Sequence, residues 1–249
     1  MLGKNPRKGI YILPNLFTTA ALFAGFYAIV QAMNGQFEYA PTAVFIAMIM
    51  DGLDGRVARW THTESDFGAQ YDSLSDMVSF GLAPALVMYE WALSGLGKLG
   101  WLAAFLYAAA AALRLARFNV QVGTVDKRFF VGLPSPSAAA LTMGLVWVMH
   151  ASGVPGKELS FVALGFTVFA ALAMVSNIRY FSFKQFNVKD RVSFVAIIAV
   201  VLIFVLISLD PPQVLFMIFL VYSLSGPLTA GIGVLRRWNG RRTQDTRRL

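Results

Sequence analysis

Apolar side chains fill long stretches of this chain with few polar breaks, over residues 16–33, 98–119, 134–151, 159–178, 191–209 and 212–235. Each stretch is close to the roughly 20 residues that carry an α-helix across the hydrocarbon core of a bilayer. Two more stretches, 38–60 and 68–92, carry acids, so hydropathy marks them less cleanly. The pattern predicts an all-α, polytopic membrane helix bundle of about eight transmembrane helices. A bundle of about six spans, with 38–60 and 68–92 re-entrant, is the structural alternative. A β-barrel would show alternating segments of about ten residues, which this chain lacks. Lys4, Arg7 and Lys8 precede the first apolar run as they would in a signal peptide. The run from Leu16 to Met33 is long and has no clear small-residue cleavage site, so it reads as a retained first helix. One membrane domain is expected over residues 1–239, with residues 240–249 as a basic, solvated and disordered tail.

Composition sharpens this picture. Of 249 residues, 57% are hydrophobic and 14% charged, more apolar surface than a soluble domain can hide while covering itself with polar groups. Cysteine is absent, which excludes disulfides, thiolate metal sites and cysteine nucleophiles. Charge then sets orientation. With the N-terminus inside, 19 of the 21 basic residues fall on inner ends and loops, and only Lys98 and Lys157 lie outside. That is the positive-inside bias; it predicts an inner (cytoplasmic) membrane protein with both termini cytoplasmic, and adds some attraction to anionic lipid heads. No basic, aromatic-interleaved soluble module accompanies the charge, so no nucleic-acid partner is expected.

The chemistry lies between Asp51 and Asp76, in DGLDGRVARWTHTESDFGAQYDSLSD. Asp51, Asp54, Gly55, Ala58 and Arg59 share one face of a helix, yet that face holds acids, small residues and an arginine instead of apolar side chains. After a short connection Gly68, Asp72 and Asp76 recur at four-residue steps, with Ser75 and Ser79 beside them. Two helices joined so closely are antiparallel neighbours, and their polar faces can meet near the cytoplasmic end. At 1.5 Å per residue, Asp51 and Asp54 lie roughly 4.5 Å apart along one axis and Asp72 and Asp76 roughly 6 Å along the other. Four carboxylates then converge within reach of a metal pair about 3.5–4 Å apart. A carboxylate at membrane depth costs on the order of 2.5–3.5 kcal/mol even on insertion scales, and four of them repel one another. Two divalent cations would cancel that charge, and all-oxygen ligation favours Mg²⁺, Mn²⁺ or Ca²⁺. Gly55 and Gly68 leave room for a ligand against the backbone, and the Arg59 fork suits a phosphate. The same acids would also serve a cation transporter, and the small residues would also serve plain helix contacts.

The ordered set Asp51-x2-Asp54-Gly55-x2-Ala58-Arg59-x8-Gly68-x3-Asp72-x3-Asp76 resembles the complete signature of the CDP-alcohol phosphotransferase family, with all eight fixed positions present. Further stretches resemble one branch, the bacterial-type phosphatidylserine synthases. These are Leu13 to Thr18, SDMVSFGLAPALVMY from Ser75 to Tyr89, ALRLARFNV from Ala112 to Val120, and GLPSPSAAA from Gly132 to Ala140. The resemblance implies that Asp51, Asp54 and Asp72 hold metals, with Asp76 contributing to them and acting as the base. It implies that Gly55, Ala58, Arg59 and Gly68 form a CDP-binding surface, with Asn15 and Thr18 contacting the nucleotide. It further implies CDP-diacylglycerol and L-serine as substrates, membrane lipid as surroundings, and a homodimer.

Serine brings a carboxylate, so an arginine near the cytoplasmic rim is expected. Arg114 and Arg117, with Asn119 close by, are the candidates at the inner end of the fourth span; topological anchoring is the other reading of them. Lys184, Lys189 and Arg191 are weaker candidates of the same kind. Glycerol phosphate, inositol, inositol phosphate or choline are the alternative acceptors. His62 and His150 have no partner at metal-ligand spacing, and Arg56 reads as a mark of the inner membrane edge. Trp60, Trp91, Trp101 and Trp238 fall near span ends, where indoles favour the interface. Pro134 and Pro136 shape the start of the fifth span or line the acceptor side. A transporter would instead spread its acids across the membrane depth, often with an inverted repeat.

Overall fold

The computed structural model describes residues 12–121, 129–182 and 194–245. Helices α1 (Ile12–Met33) and α2 (Tyr39–Thr61) are joined by a tight turn in which Gly35 takes a φ of +72°. Helix α3 (Asp66–Asp76) runs on through a π-helical turn (Met77–Leu82), α4 (Ala83–Met88), a second π-helical turn (Tyr89–Leu93) and a 3-10 turn (Ser94–Leu96). Residues 66–96 therefore make one rod. With α5 (Lys98–Gln121), α6 (Ser135–Ala151), α7 (Ser160–Val175), α8 (Phe194–Leu209) and α9 (Pro211–Asp245), the described residues form eight helical rods. Among the described residues, five stretches are long and apolar enough to cross a membrane: Leu13–Met33, Asp66–Leu96, Lys98–Val120, Gly156–Val175 and Pro211–Gly231. Helix α2 carries Asp51, Asp54, Arg56 and Arg59 in its second half, and α6 and α8 run only 17 and 16 residues. The chain is an all-α, polytopic membrane bundle. Residues 39–60 and 68–92 lie in continuous helical rods.

Lipid gives helices no hydrophobic reason to associate, so close packing of small side chains must do it. Ala21, Ala24, Ala28 and Ala32 of α1 share one buried cluster with Ala40, Ala43, Val44 and Ala47 of α2. Large side chains point the other way: Phe23, Phe26, Phe105, Leu113 and Phe161 are 59–75% exposed. Against the 66–96 rod, α1 is held by a polar ladder. Ser75 Oγ donates to the Thr18 carbonyl at 3.1 Å and Ser79 Oγ to the Ala21 carbonyl at 3.0 Å. One turn further, a Cβ on Gly25 would lie 2.7 Å from Ser79 Cα, so only glycine allows this approach.

Two findings depart from the sequence expectations. A two-stranded antiparallel ribbon pairs β1 (Phe129–Val131) with β2 (Arg179–Phe181), Phe130 opposite Tyr180. Trp91, expected near a span end beside lipid, is 4% exposed and belongs to the core, where its ring fills the space left by Gly156. Trp60 and Trp101 are exposed at 89% and 51%. Helix α9 runs from Pro211 to Asp245.

The ribbon fastens α9. Pro227 lies inside that helix and has no N–H for the carbonyl four residues back, that of Ser223. The Tyr180 hydroxyl donates to that same carbonyl at 3.2 Å, and the Tyr180 ring occupies the space a Gly226 Cβ would need. Tyr180→Phe is expected to cost about 1 kcal/mol, and Gly226→Ala about 1–3 kcal/mol through overpacking, both read as a lower Tm in detergent. An unchanged Tm in both variants would show that α9 is not held this way.

Candidate active site

The acidic corner begins with the turn between α2 and α3. His62 takes a left-handed conformation, φ 52°, as the C-terminal cap of α2, and its N–H and that of Thr63 bond back to Arg59 and Ala58 carbonyls. Ser65 then caps α3, its Oγ accepting from the Gly68 N–H at 3.1 Å. Both caps end their helices sharply, so α3 folds back along α2 and brings the two acidic faces together. His62 thus has a backbone role, while His150 sits beside Phe37, with ring centroids 6.5 Å apart.

Asp51, Asp72 and Asp76 each offer a carboxylate oxygen, and the three oxygens lie within 4.8 Å of one another. Among the described residues this is the group of acids close enough to share a cation, and an all-oxygen donor set of this charge fits a hard divalent ion. Asp54 is buried beside Asp72 and accepts a 2.7 Å hydrogen bond from Thr18 Oγ1. Three of the four aspartates therefore bring an oxygen each to one place, while Asp54 lines the same cavity and is tied to α1.

A cavity of about 630 Å³ opens over this corner, lined by all four aspartates together with Gly55, Arg56, Arg59 and Arg114. Phe130, Pro134 and Pro136 close its far side. Nothing lies within 4 Å of a Cβ built on Gly55, so the backbone there faces open space. Arg59 is exposed, with Nε donating to the Gly55 carbonyl at 2.8 Å and no hydrogen bond to its terminal nitrogens among the described residues. Ala58 and Gly68 do not line the cavity. The Ala58 carbonyl anchors the turn through Thr63 at 3.0 Å, and a Gly68 Cβ would touch Ser65 Oγ at 3.1 Å and Asn15 Oδ1 at 3.5 Å. Asn15 and Thr18 are thus beside the site, Thr18 acting on Asp54.

Arg114 is 7% exposed and reaches the cavity from α5. It donates to Ser135 Oγ at 2.9 Å, lies within electrostatic reach of Asp76, and its Nε has no hydrogen-bond partner among the described residues. Arg117 does not line the cavity. Its guanidinium donates to the carbonyls of Val175 at 3.1 Å and Ser176 at 3.3 Å and to Asn177 Oδ1 at 3.4 Å, which caps the end of α7. Asn119 bonds Ser73 at 3.0 Å. Lys184, Lys189 and Arg191 lie outside the described residues. Arg56 and Ser135 are the site residues that sequence reasoning missed. Arg56 falls at an unfixed position of the signature, and Ser135 sits between two prolines that line the cavity.

The model of the CDP-alcohol phosphatidyltransferase family matches residues 11–178. A CDP-diacylglycerol–serine O-phosphatidyltransferase of Helicobacter pylori strain J99 is 37% identical over 219 residues, 88% of this chain and 92% of its own length. The enzyme of that name from Mycobacterium bovis is 37% identical over 207 residues, covering 70% of this chain and 72% of its own. That from Methanocaldococcus jannaschii is 34% identical over 183 residues, 74% and 80% of the two chains.

A ligand that binds only the folded state raises stability in proportion to its occupancy, by about 2.7 kcal/mol at a hundredfold excess over Kd. Chelated protein is therefore expected to melt at a lower temperature than protein in Mn²⁺, and Asp51→Asn or Asp72→Asn to erase the difference. A Mn²⁺-dependent Tm shift that survives in both variants would place the cation elsewhere.

Proposed function

Because the chain belongs to the CDP-alcohol phosphatidyltransferase family, we propose that it is the transferase that moves a phosphatidyl group from CDP-diacylglycerol to the hydroxyl of L-serine, giving phosphatidylserine and CMP. The observation that carries this reading is the convergence of Asp51, Asp72 and Asp76 under a cavity whose remaining polar wall is arginine. Two divalent cations, Mg²⁺ or Mn²⁺ with Ca²⁺ also suited, would be held by Asp51, Asp54, Asp72 and Asp76 and would neutralise charge on the diphosphate and the departing CMP.

The chain's own residues take the remaining tasks. Arg59 presents its free nitrogens to a phosphate oxygen, and open space beside Gly55 lets the nucleotide approach the α2 backbone. Thr18 fixes the rotamer of Asp54, while Asn15, Ala58 and Gly68 shape the α1–α3 side of the CDP surface. Arg114, buried and with an unpartnered Nε at the cavity wall, receives the serine carboxylate, and Ser135 orients it. Asp76 accepts the proton of the serine hydroxyl as its oxygen forms a bond to the phosphorus bearing the diacylglycerol. The bond from that phosphorus to the CMP oxygen breaks, and the electron pair leaves with CMP. Position and local charge matter more for such a base than high basicity. Arg117 contributes by holding the end of α7 and not by touching serine.

The positive-inside distribution supports an inner membrane location with the active site and both termini toward the cytoplasm. Family resemblance supports a second copy of the chain as partner. Clustering of the acids at one corner, instead of along the membrane depth, weighs against a cation transporter.

Purified protein with CDP-diacylglycerol and Mn²⁺ is expected to release CMP with serine and not with glycerol phosphate, inositol, inositol phosphate or choline; release with another alcohol alone would replace the acceptor. Asp76→Asn should lower turnover by about 10²–10⁴ while CDP-diacylglycerol still binds. Arg114→Lys should raise the serine KM while Arg117→Ala changes it little; the reverse order would exchange their roles.

A further inference from the structure

A second, larger cavity adjoins the acidic one. It measures about 1010 Å³ and is a groove with an apolar lining, floored by Met217, Ile218, Val221 and Tyr222 of α9 and walled by Phe181 of β2. Arg56, Phe130 and Pro134 line both cavities. The groove therefore opens directly off the acidic corner, with an arginine at the junction. Three arginines line the acidic cavity; Arg59 donates to the Gly55 carbonyl and Arg114 to Ser135. Arg56 is exposed and makes no ion pair or side-chain hydrogen bond among the described residues. Another apolar groove, of about 560 Å³ between α1 and α2, shares no lining residue with the acidic cavity.

We propose that the groove against α9 receives an acyl chain of the CDP-lipid, and that Arg56 at its mouth binds the phosphate next to the glycerol. This rests on the substrate proposed above and names where its lipid half lies. A molecule with a diphosphate at one end and acyl chains at the other, held by the acidic corner, must send those chains through an apolar opening continuous with it. Of these two apolar grooves, the one against α9 meets that condition. Its volume matches the upper end of ligand pockets, about 300–1,000 Å³, and each methylene buried there adds to affinity. A cation between an anionic site and an apolar slot fits the junction of such a lipid, where phosphate gives way to glycerol ester. Helix α9 lies beyond residues 11–178, the part matched by the family model. Selectivity for the lipid donor is therefore set partly by a helix outside the stretch that carries the catalytic signature.

Met217 and Val221 are 54% and 62% exposed, so tryptophan at either position fills the groove without entering the core. CMP release is measured in detergent micelles with CDP-dioleoylglycerol and with CDP-dihexanoylglycerol. Met217→Trp and Val221→Trp should raise KM about tenfold for the dioleoyl donor and less than about twofold for the dihexanoyl donor. Arg56→Gln should raise KM about tenfold for both donors while leaving the serine KM unchanged. Tryptophan variants that keep the wild-type dioleoyl KM, or that lose both donors equally, overturn the proposal. Wild-type protein that releases CMP from neither donor overturns the substrate reading, and this inference with it. A measurement on unaltered protein stands beside these. CDP-diacylglycerol bearing a diazirine on an acyl chain should label the α9 peptide around Met217 and Val221, and excess CDP-dioleoylglycerol, but not phosphatidylcholine, should suppress the labelling. Labelling confined to α1 and α2, or suppressed equally by phosphatidylcholine, means the groove holds bulk lipid only and refutes the assignment.

Discussion

Carboxylates repel one another most strongly where water is scarce, and Asp51, Asp72 and Asp76 each bring an oxygen within 4.8 Å of the others inside a membrane bundle. Two like unit charges about 4 Å apart repel by about 4 kcal/mol at an effective dielectric of about 20, so the cluster resists its own assembly. Much of the surrounding architecture can be understood as restraint on that repulsion. Thr18 holds Asp54 from α1, Ser75 and Ser79 hold α1 against the rod that carries Asp72 and Asp76, and Arg114 stands within electrostatic reach of Asp76. A hard cation at the centre turns the same charges from a burden into a binding site.

The inverted distribution of side-chain size serves the same end. Alanines and glycines inside let α1, α2 and the 66–96 rod approach until backbone and hydroxyl groups bond across them, while phenylalanine and leucine face lipid. The π-helical turn at Met77–Leu82 begins immediately after Asp76. It widens the helix there, so the rod leaves the acidic corner on a changed rotation and buries Ser79 and Phe80 against the neighbouring helices. Helices α6 and α9 and the short ribbon complete the enclosure from the other side, and the apolar groove lies where that enclosure meets α2.

Helix positions were legible because long apolar runs have few alternatives in a bilayer. The expected span 98–119 corresponds to α5 at Lys98–Gln121 and 134–151 to α6 at Ser135–Ala151. Convergence of the aspartates was legible too, since helical spacing and a short turn leave little freedom. Other features depend on contacts between distant segments. Three-residue strands carry no period, so the ribbon was invisible. Trp91 gave no sign of the facing Gly156 that draws it inward. Arg114 and Arg117 are indistinguishable in sequence, and only the place of Ser135 and the end of α7 separates a cavity arginine from a capping one. Arg56 looked like a topological charge because its partner cavity is built by α9, far along the chain.

Electron–nuclear double resonance of bound Mn²⁺ tests the central claim most directly. In purified protein given Mn²⁺ and CDP-diacylglycerol, the metal should show phosphorus hyperfine coupling from the diphosphate, and that signal should vanish in Asp72→Asn. Mn²⁺ that binds without phosphorus coupling, or whose coupling is unchanged in the variant, would contradict a dication gathered by these aspartates around a nucleotide diphosphate.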